Sequence, residues 1–170
     1  MLKFAGIFLI LTGTGGLGRY LIHDLNMHLK QLVESREIFT GMDAGREYLC
    51  LPYAQLLRRA AKGRTKVFAE MLEEVASEME KNREADAKSL WERAFDQRKN
   101  QLFLKEEETE LLLALSGCLL LEENHTKAAR IYFMQLEDKI VQAMEEKKEK
   151  QKLYSTVSVL LGLFLVIILL

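Results

Sequence analysis

No charged side chain follows Lys152 in this chain of 170 residues. The last eighteen residues, LYSTVSVLLGLFLVIILL from Leu153 to Leu170, contain one glycine and crowd Leu, Ile and Val toward the end. As a helix they would extend about 27 Å, close to the ~30 Å hydrocarbon core of a bilayer. A core strand would be too short to use so many apolar residues, and a core helix is rarely apolar on every side. The stretch predicts a C-terminal transmembrane helix over 153–170. Lys147, Lys148, Lys150 and Lys152 stand at its boundary, where lysines also attract anionic lipid.

The other end is apolar too, but less so. Residues 1–22 carry only Lys3 and Arg19 as charged side chains, and five glycines interrupt them. Both cations could reach the interfaces from the ends of a span. A cleaved secretory signal is the rival reading, with Lys3 as its basic region and Phe4 to Leu11 as its apolar region. Charge near the ends chooses between them. The flank after the first segment holds Arg19, Lys30 and Arg36, and the flank before the last holds Lys139 and the four boundary lysines. Basic flanks stay on the cytoplasmic side. The expectation is two spans, with residues 23–152 in the cytoplasm and both termini outside.

Every Asp and Glu lies between Asp24 and Glu149, and the net charge of the whole chain is −1. Bulk charge gives no case for nucleic acid. Between Arg19 and Lys152 there are one proline and four glycines, with no Asn-Gly or Asp-Gly turn and no alternating β-branched run. Helical spacing recurs instead. Leu25, Leu29, Leu32, Phe39, Met42 and Leu49 make one stripe. Tyr53, Leu56, Leu57 and Ala60 make a second, started by Pro52 and stopped by Gly63. Val67, Phe68, Met71, Leu72, Val75 and Met79 make a third, and Leu90, Trp91, Ala94 and Phe95 a fourth. Glu106, Glu107 and Glu108 suit the positive start of a helix that is apolar from Leu111 to Leu121. Phe133, Leu136, Ile140 and Ala143 form a heptad-like seam on a last helix, capped by Asn124 or Thr126, that runs on through Lys152. Glu146 and Lys150 are spaced as an i,i+4 pair. The fold expected is all-α: a cytoplasmic bundle of about five or six helices over 23–152, flanked by an N-terminal and a C-terminal transmembrane helix.

The segment Gly13-Thr14-Gly15-Gly16-Leu17-Gly18 satisfies G-x-G-x-x-G, and Glu34 and Glu37 follow near the distance of a ribose-binding acid. A dinucleotide site needs a strand before those glycines and further βαβ units, and the rest of the sequence offers no convincing strand. In a membrane helix, small residues let a second backbone approach. Gly13, Gly15, Gly16, Gly18 and Gly162 are therefore read as a helix-packing face. No nucleophile, zinc or P-loop motif is present, and Glu122 and His125 give only one copy of the E-x-x-H that a di-iron bundle needs twice. Cys50 and Cys118 are far apart in sequence and could pair as a disulfide, but two half-buried free thiols in a reducing compartment are the favoured reading. No catalytic group, cofactor, metal or small-molecule substrate is expected.

Several blocks carry a family resemblance: the glycine-bearing start MLKFAGIFLILTGTGGLGRYL, then LKQLVESREI followed by LPYAQLLRRAA, SLWERAF, and the closing LYSTVSVLLGLFLVIILL. Together, and in this order, they resemble the stage III sporulation protein AB family of spore-forming Firmicutes over nearly the full length. Leu120-Leu121-Glu122-Glu123 with Ala128-Ala129, and Val157-Ser158-Val159, depart from the family's pattern. The resemblance implies a protein of the outer forespore membrane, part of the channel between mother cell and forespore. It implies a cytoplasmic domain, facing the mother cell, similar to that of the type II secretion inner-membrane platform protein. It also implies contacts with the secretion-type ATPase of the same operon and with other channel subunits. For such contacts the acidic Glu106, Glu107, Glu108 and Glu110 and the basic Arg58, Arg59, Lys62 and Arg64 are the candidates.

Overall fold

The computed structural model describes the backbone of residues 2–49, 51–82, 86–120 and 125–169. Side chains at 2–12, 14, 15, 17, 18, 49, 125, 126, 165, 166, 168 and 169 lie outside the description. The described residues form six α-helices: α1 (Leu2–Leu49), α2 (Tyr53–Ala61), α3 (Lys66–Lys81), α4 (Ala87–Gln97), α5 (Glu106–Leu120) and α6 (His125–Leu169). The all-helical expectation holds for them. They divide into two compact units, Met1–Leu29 with Val141–Leu170, and Lys30–Ile140.

In the unit Lys30–Ile140, most of the apolar stripe residues become the core, while Tyr53, Ala60, Val67, Met79 and Phe133 are half-buried. Leu32, Ile38, Phe39 and Met42 of α1, Leu56 and Leu57 of α2, and Phe68, Met71, Leu72 and Val75 of α3 are buried. So are Leu90, Trp91, Ala94 and Phe95 of α4, which is the whole predicted fourth stripe. Leu111, Leu112, Leu115 and Leu119 of α5 and Leu136 and Ile140 of α6 complete it. Trp91 has no exposed surface, and its ring lies 5.6 Å from Phe39 and 5.9 Å from Phe95. Helix α2 packs on α3, α3 on α4, and α4 on α5.

Turn chemistry sets the helix ends. Pro52, extended at φ −55° and ψ 144°, precedes the first turn of α2. Its carbonyl accepts from the Gln55 and Leu56 N–H groups, and its own missing N–H would have had no helical partner there. Gly63 follows α2 at φ +76°, a left-handed conformation that L side chains avoid. Asp86 caps α4 by accepting from the Lys88 N–H at 3.2 Å.

The glycine-rich motif at 13–18 is not a loop. It lies within α1, an unbroken helix from Leu2 to Leu49. Glycine costs a helix interior about 1 kcal/mol, which weakens the helix without ending it. The acids proposed beside it are engaged elsewhere. Glu34 accepts from the Thr65 N–H and hydroxyl, and Glu37 pairs with Arg64.

In the other unit, Val157, Val159, Leu160, Leu161, Leu163, Phe164 and Ile167 of α6 are all exposed. Helix α6 runs straight through Lys152, as expected. Among the described residues no helix is long and apolar enough to cross a membrane. The spans expected over 1–22 and 153–170 lie in part on side chains outside the description.

Candidate functional site

The two charged sets singled out in the sequence are sorted by the fold into engaged and free members. Among the acids, Glu108 is not a surface group at all: it is buried at 1 % exposure. Its carboxylate accepts from the Lys105 N–H at 2.7 Å, the backward half of a capping box at the start of α5. Glu107 pairs with Lys139 of α6 at 2.7 Å. Glu106 and Glu110 are exposed, and neither makes an ion pair among the described residues.

The basic set divides the same way. Arg58 bridges Glu80 at 2.7 Å and Glu73 at 3.5 Å on α3. Its Nε is buried and has no hydrogen-bond partner among the described residues. Arg64 pairs with Glu37 and donates to the Ala60 carbonyl. Arg59 of α2 and Lys62, which caps its C-terminal end, are exposed and make no ion pair among the described residues. With Gln55 and Arg58 they line an open groove of about 440 Å³.

Glu106 and Glu110 do not stand alone. They form one wall of a cleft of about 370 Å³, and Glu92 and Asp96 of α4 join them. Phe95, Leu102, Leu104 and Leu113 give it apolar lining, and Lys99 is the only cation among its lining residues. Asp96 makes no ion pair among the described residues, while Glu92 has only a 3.6 Å contact with Lys88. Sequence reading missed Glu92 and Asp96. They sit one turn apart on the face of α4 beside Phe95, a signal that spacing supplies only once α5 is known to be the neighbour.

The segment between α4 and α5 lines this cleft because α1 holds it. Buried Gln31 accepts from the Phe103 N–H at 2.7 Å and donates to the Gln101 carbonyl at 3.3 Å. Its one amide thus satisfies two backbone groups on either side of Leu102. Arg98, the residue that ends α4, ties that same end to α3 through Glu74 at 2.6 Å.

The helix-packing candidates divide too. Gly13 and Gly16 are exposed, and a Cβ added to either would meet nothing within 4 Å. Gly162 is buried, and the surroundings of Gly15 and Gly18 lie outside the described residues. Among the boundary cations, Arg19, Lys148 and Lys152 are exposed, while Lys147 and Lys150 are half-buried. Lys150 pairs with Glu146 as the i,i+4 spacing predicted, and that hydrogen bond raises its pKa.

Two further polar groups tune the interior. The Tyr53 hydroxyl accepts from the Trp91 Nε1–H at 3.3 Å and donates to the Ser116 carbonyl at 3.4 Å. Burial pushes its pKa well above the ordinary phenol range, with Trp91 and Arg46 partly opposing. Cys118 is a half-buried free thiol whose pKa burial also raises, and Cys50 lies outside the described residues.

The chain matches the family described as Stage III sporulation protein AB over residues 3–170. Its fold is similar to a solved structure described as "Stage III sporulation protein AB (SpoIIIAB)", with a TM-score of 0.66 and 18 % identity. That similarity covers 72 % of this chain and 98 % of the solved one. No curated protein matches it.

Proposed function

The chain belongs to the stage III sporulation protein AB family, and from that premise we propose a non-enzymatic membrane platform in the channel between mother cell and forespore. Its bundle faces the mother-cell cytoplasm from the outer forespore membrane. It docks the secretion-type ATPase of the sporulation operon and neighbouring channel subunits through its charged surface. The observation that carries this reading is the continuity of the two terminal helices. Helices α1 and α6 supply core residues to the unit Lys30–Ile140, and the same helices run unbroken to Leu2 and Leu169. A helical domain is thus built on the very elements that end in apolar sequence.

The exposed apolar side chains of α6 from Val157 to Ile167 support the anchor, since a monomer in water rarely presents such a surface. The two spans are residues 1–22 and 153–170, with Arg19, Lys147, Lys148, Lys150 and Lys152 at the cytoplasmic boundaries. The open faces of Gly13 and Gly16 leave room for another span to approach.

Binding of the full-length chain, in nanodiscs, to the operon's ATPase tests the docking. We expect association at low ionic strength that weakens as salt rises; no association at low salt, with both proteins folded, refutes it. Topology is a separate measurement. In a Cys50→Ser/Cys118→Ser background, exposed Asn100→Cys should escape a membrane-impermeant maleimide on intact spheroplasts and react after lysis. Labelling before lysis would place the bundle outside and favour the exported reading with a cleaved signal.

A further inference from the structure

We propose that copies of this chain associate head to tail, the basic face formed by Arg59 and Lys62 at the C-terminal end of α2 in one copy set against the α4–α5 cleft of the next. This goes beyond ATPase docking and does not depend on it. The two surfaces are complementary in charge and chemistry. The cleft carries four carboxylates against one cation, over an apolar floor. The basic face offers two cations whose long aliphatic stems can lie against the apolar lining while their heads reach the carboxylates.

Other charges of this unit, such as Asp43, Glu47 and Asp138, also lack an ion pair among the described residues; these two surfaces differ in that their unpaired charges of one sign are grouped together. On this unit Glu37, Glu73, Glu74, Glu80, Glu107 and Glu137 each have a cation from another element of the same chain. The cleft acids Asp96, Glu106 and Glu110 have none among the described residues. Arg58 and Arg64, their neighbours in sequence, are both engaged, whereas Arg59 and Lys62 are not. Each copy therefore carries both halves of an unmade set of ion pairs. They sit on helices that cannot satisfy one another: α2 packs on α3, and the cleft belongs to α4 and α5.

The spacing also agrees. Glu106 and Glu110 are one helical turn apart on α5, and Arg59 lies three residues before Lys62, the residue that caps the end of α2. With α2 antiparallel to α5, Lys62 meets Glu106 and Arg59 meets Glu110. The negative C-terminal end of α2 then lies over the positive start of α5. Because the two surfaces differ, the contact is heterologous, and it extends into a ring or an open row rather than closing a dimer.

Sedimentation equilibrium of the full chain in density-matched, uncharged detergent tests this with two charge reversals, Glu106→Lys/Glu110→Lys and Arg59→Glu/Lys62→Glu. Wild type should self-associate at about 0.1 M salt and weaken at about 1 M, as the Debye length shrinks from about 10 Å to about 3 Å. Each reversal alone should weaken association about tenfold or more. An equimolar mixture of the two reversals, and the fourfold variant, should both recover it, since each restores opposite charges across every contact. Circular dichroism melts verify that all variants fold. A wild type that stays a single chain at low salt, or reversals without effect, or no recovery in the fourfold variant, overturns the proposal. Should Glu106→Lys/Glu110→Lys abolish ATPase binding while self-association persists, the cleft belongs to the ATPase; this proposal then falls and the docking reading stands. The converse, self-association with rescue but no ATPase binding, removes the docking reading alone.

Discussion

Replacing Glu34 by alanine should destabilise the bundle without touching its surface. Glu34 is 8 % exposed, and its carboxylate accepts from both the N–H and the hydroxyl of Thr65, the latter at 2.9 Å. Thr65 stands at the start of α3 and has no cap from its own side chain. Glu34 therefore acts as a cap supplied from α1, thirty-one residues away. Hydrogen bonds to charged groups contribute about 1.5–3 kcal/mol each, so two suggest ~3–6 kcal/mol. Thr65 is only half-buried, so water recovers part of the loss, and the net cost of Glu34→Ala should be about 2–3 kcal/mol. Thr65→Ala keeps the backbone bond and should cost about 1 kcal/mol. The double variant should be about 1 kcal/mol more stable than the sum of the singles predicts. Trp91 is the only tryptophan and is fully buried, so its fluorescence during urea unfolding reports this unit directly. Glu34→Ala should lower the melting temperature by roughly 8–15 °C for a unit of this size. A loss under about 0.5 kcal/mol, or an additive double-mutant cycle, would refute the capping role.

Two further expectations concern the same bundle. Gly41 and Gly45 both lie inside α1, but a Cβ at Gly41 meets nothing within 4 Å while one at Gly45 comes 2.6 Å from Leu56 Cδ2. Gly41→Ala should stabilise by about 0.5–1 kcal/mol; Gly45→Ala should destabilise by about 1 kcal/mol, because Leu56 is in the core and must shift. Chemical denaturation of both variants checks the opposite signs. Tyr53→Phe should cost about 1 kcal/mol near neutral pH, since it leaves the buried Trp91 N–H without its acceptor. The folded state holds the Tyr53 proton after the unfolded chain has lost its own, so wild-type stability falls as pH rises above about 10. The gap between wild type and Tyr53→Phe should therefore narrow above that pH in denaturation measured across the alkaline range; a constant gap would rule out the raised pKa.

Helices were legible because their signal is local. A stripe such as Leu90, Trp91, Ala94 and Phe95 needs only the 3.6-residue repeat to mark one face, and the structure buries all four. The Glu146–Lys150 pair was legible for the same reason. The roles of the charged residues were not, because their partners are remote in sequence. Four consecutive-looking candidates, Glu106, Glu107, Glu108 and Glu110, have three different fates. Glu107 meets Lys139 from α6, Glu108 turns inward onto the backbone of Lys105, and Glu106 and Glu110 remain in the cleft.

By itself the amino-acid sequence determined the helical class, the apolar stripes and the concentration of charge between two apolar ends, since periodicity and composition act within a turn or two of the chain. Only the tertiary structure decided which charges are consumed and which are left over. That choice depends on which helices become neighbours. Packing α4 against α5 brought Glu92 and Asp96 into one cleft with Glu106 and Glu110, while packing α2 on α3 consumed Arg58 and left Arg59 and Lys62 free. Packing also separated Glu34 from the glycine motif that it follows in the sequence, and set it to cap α3.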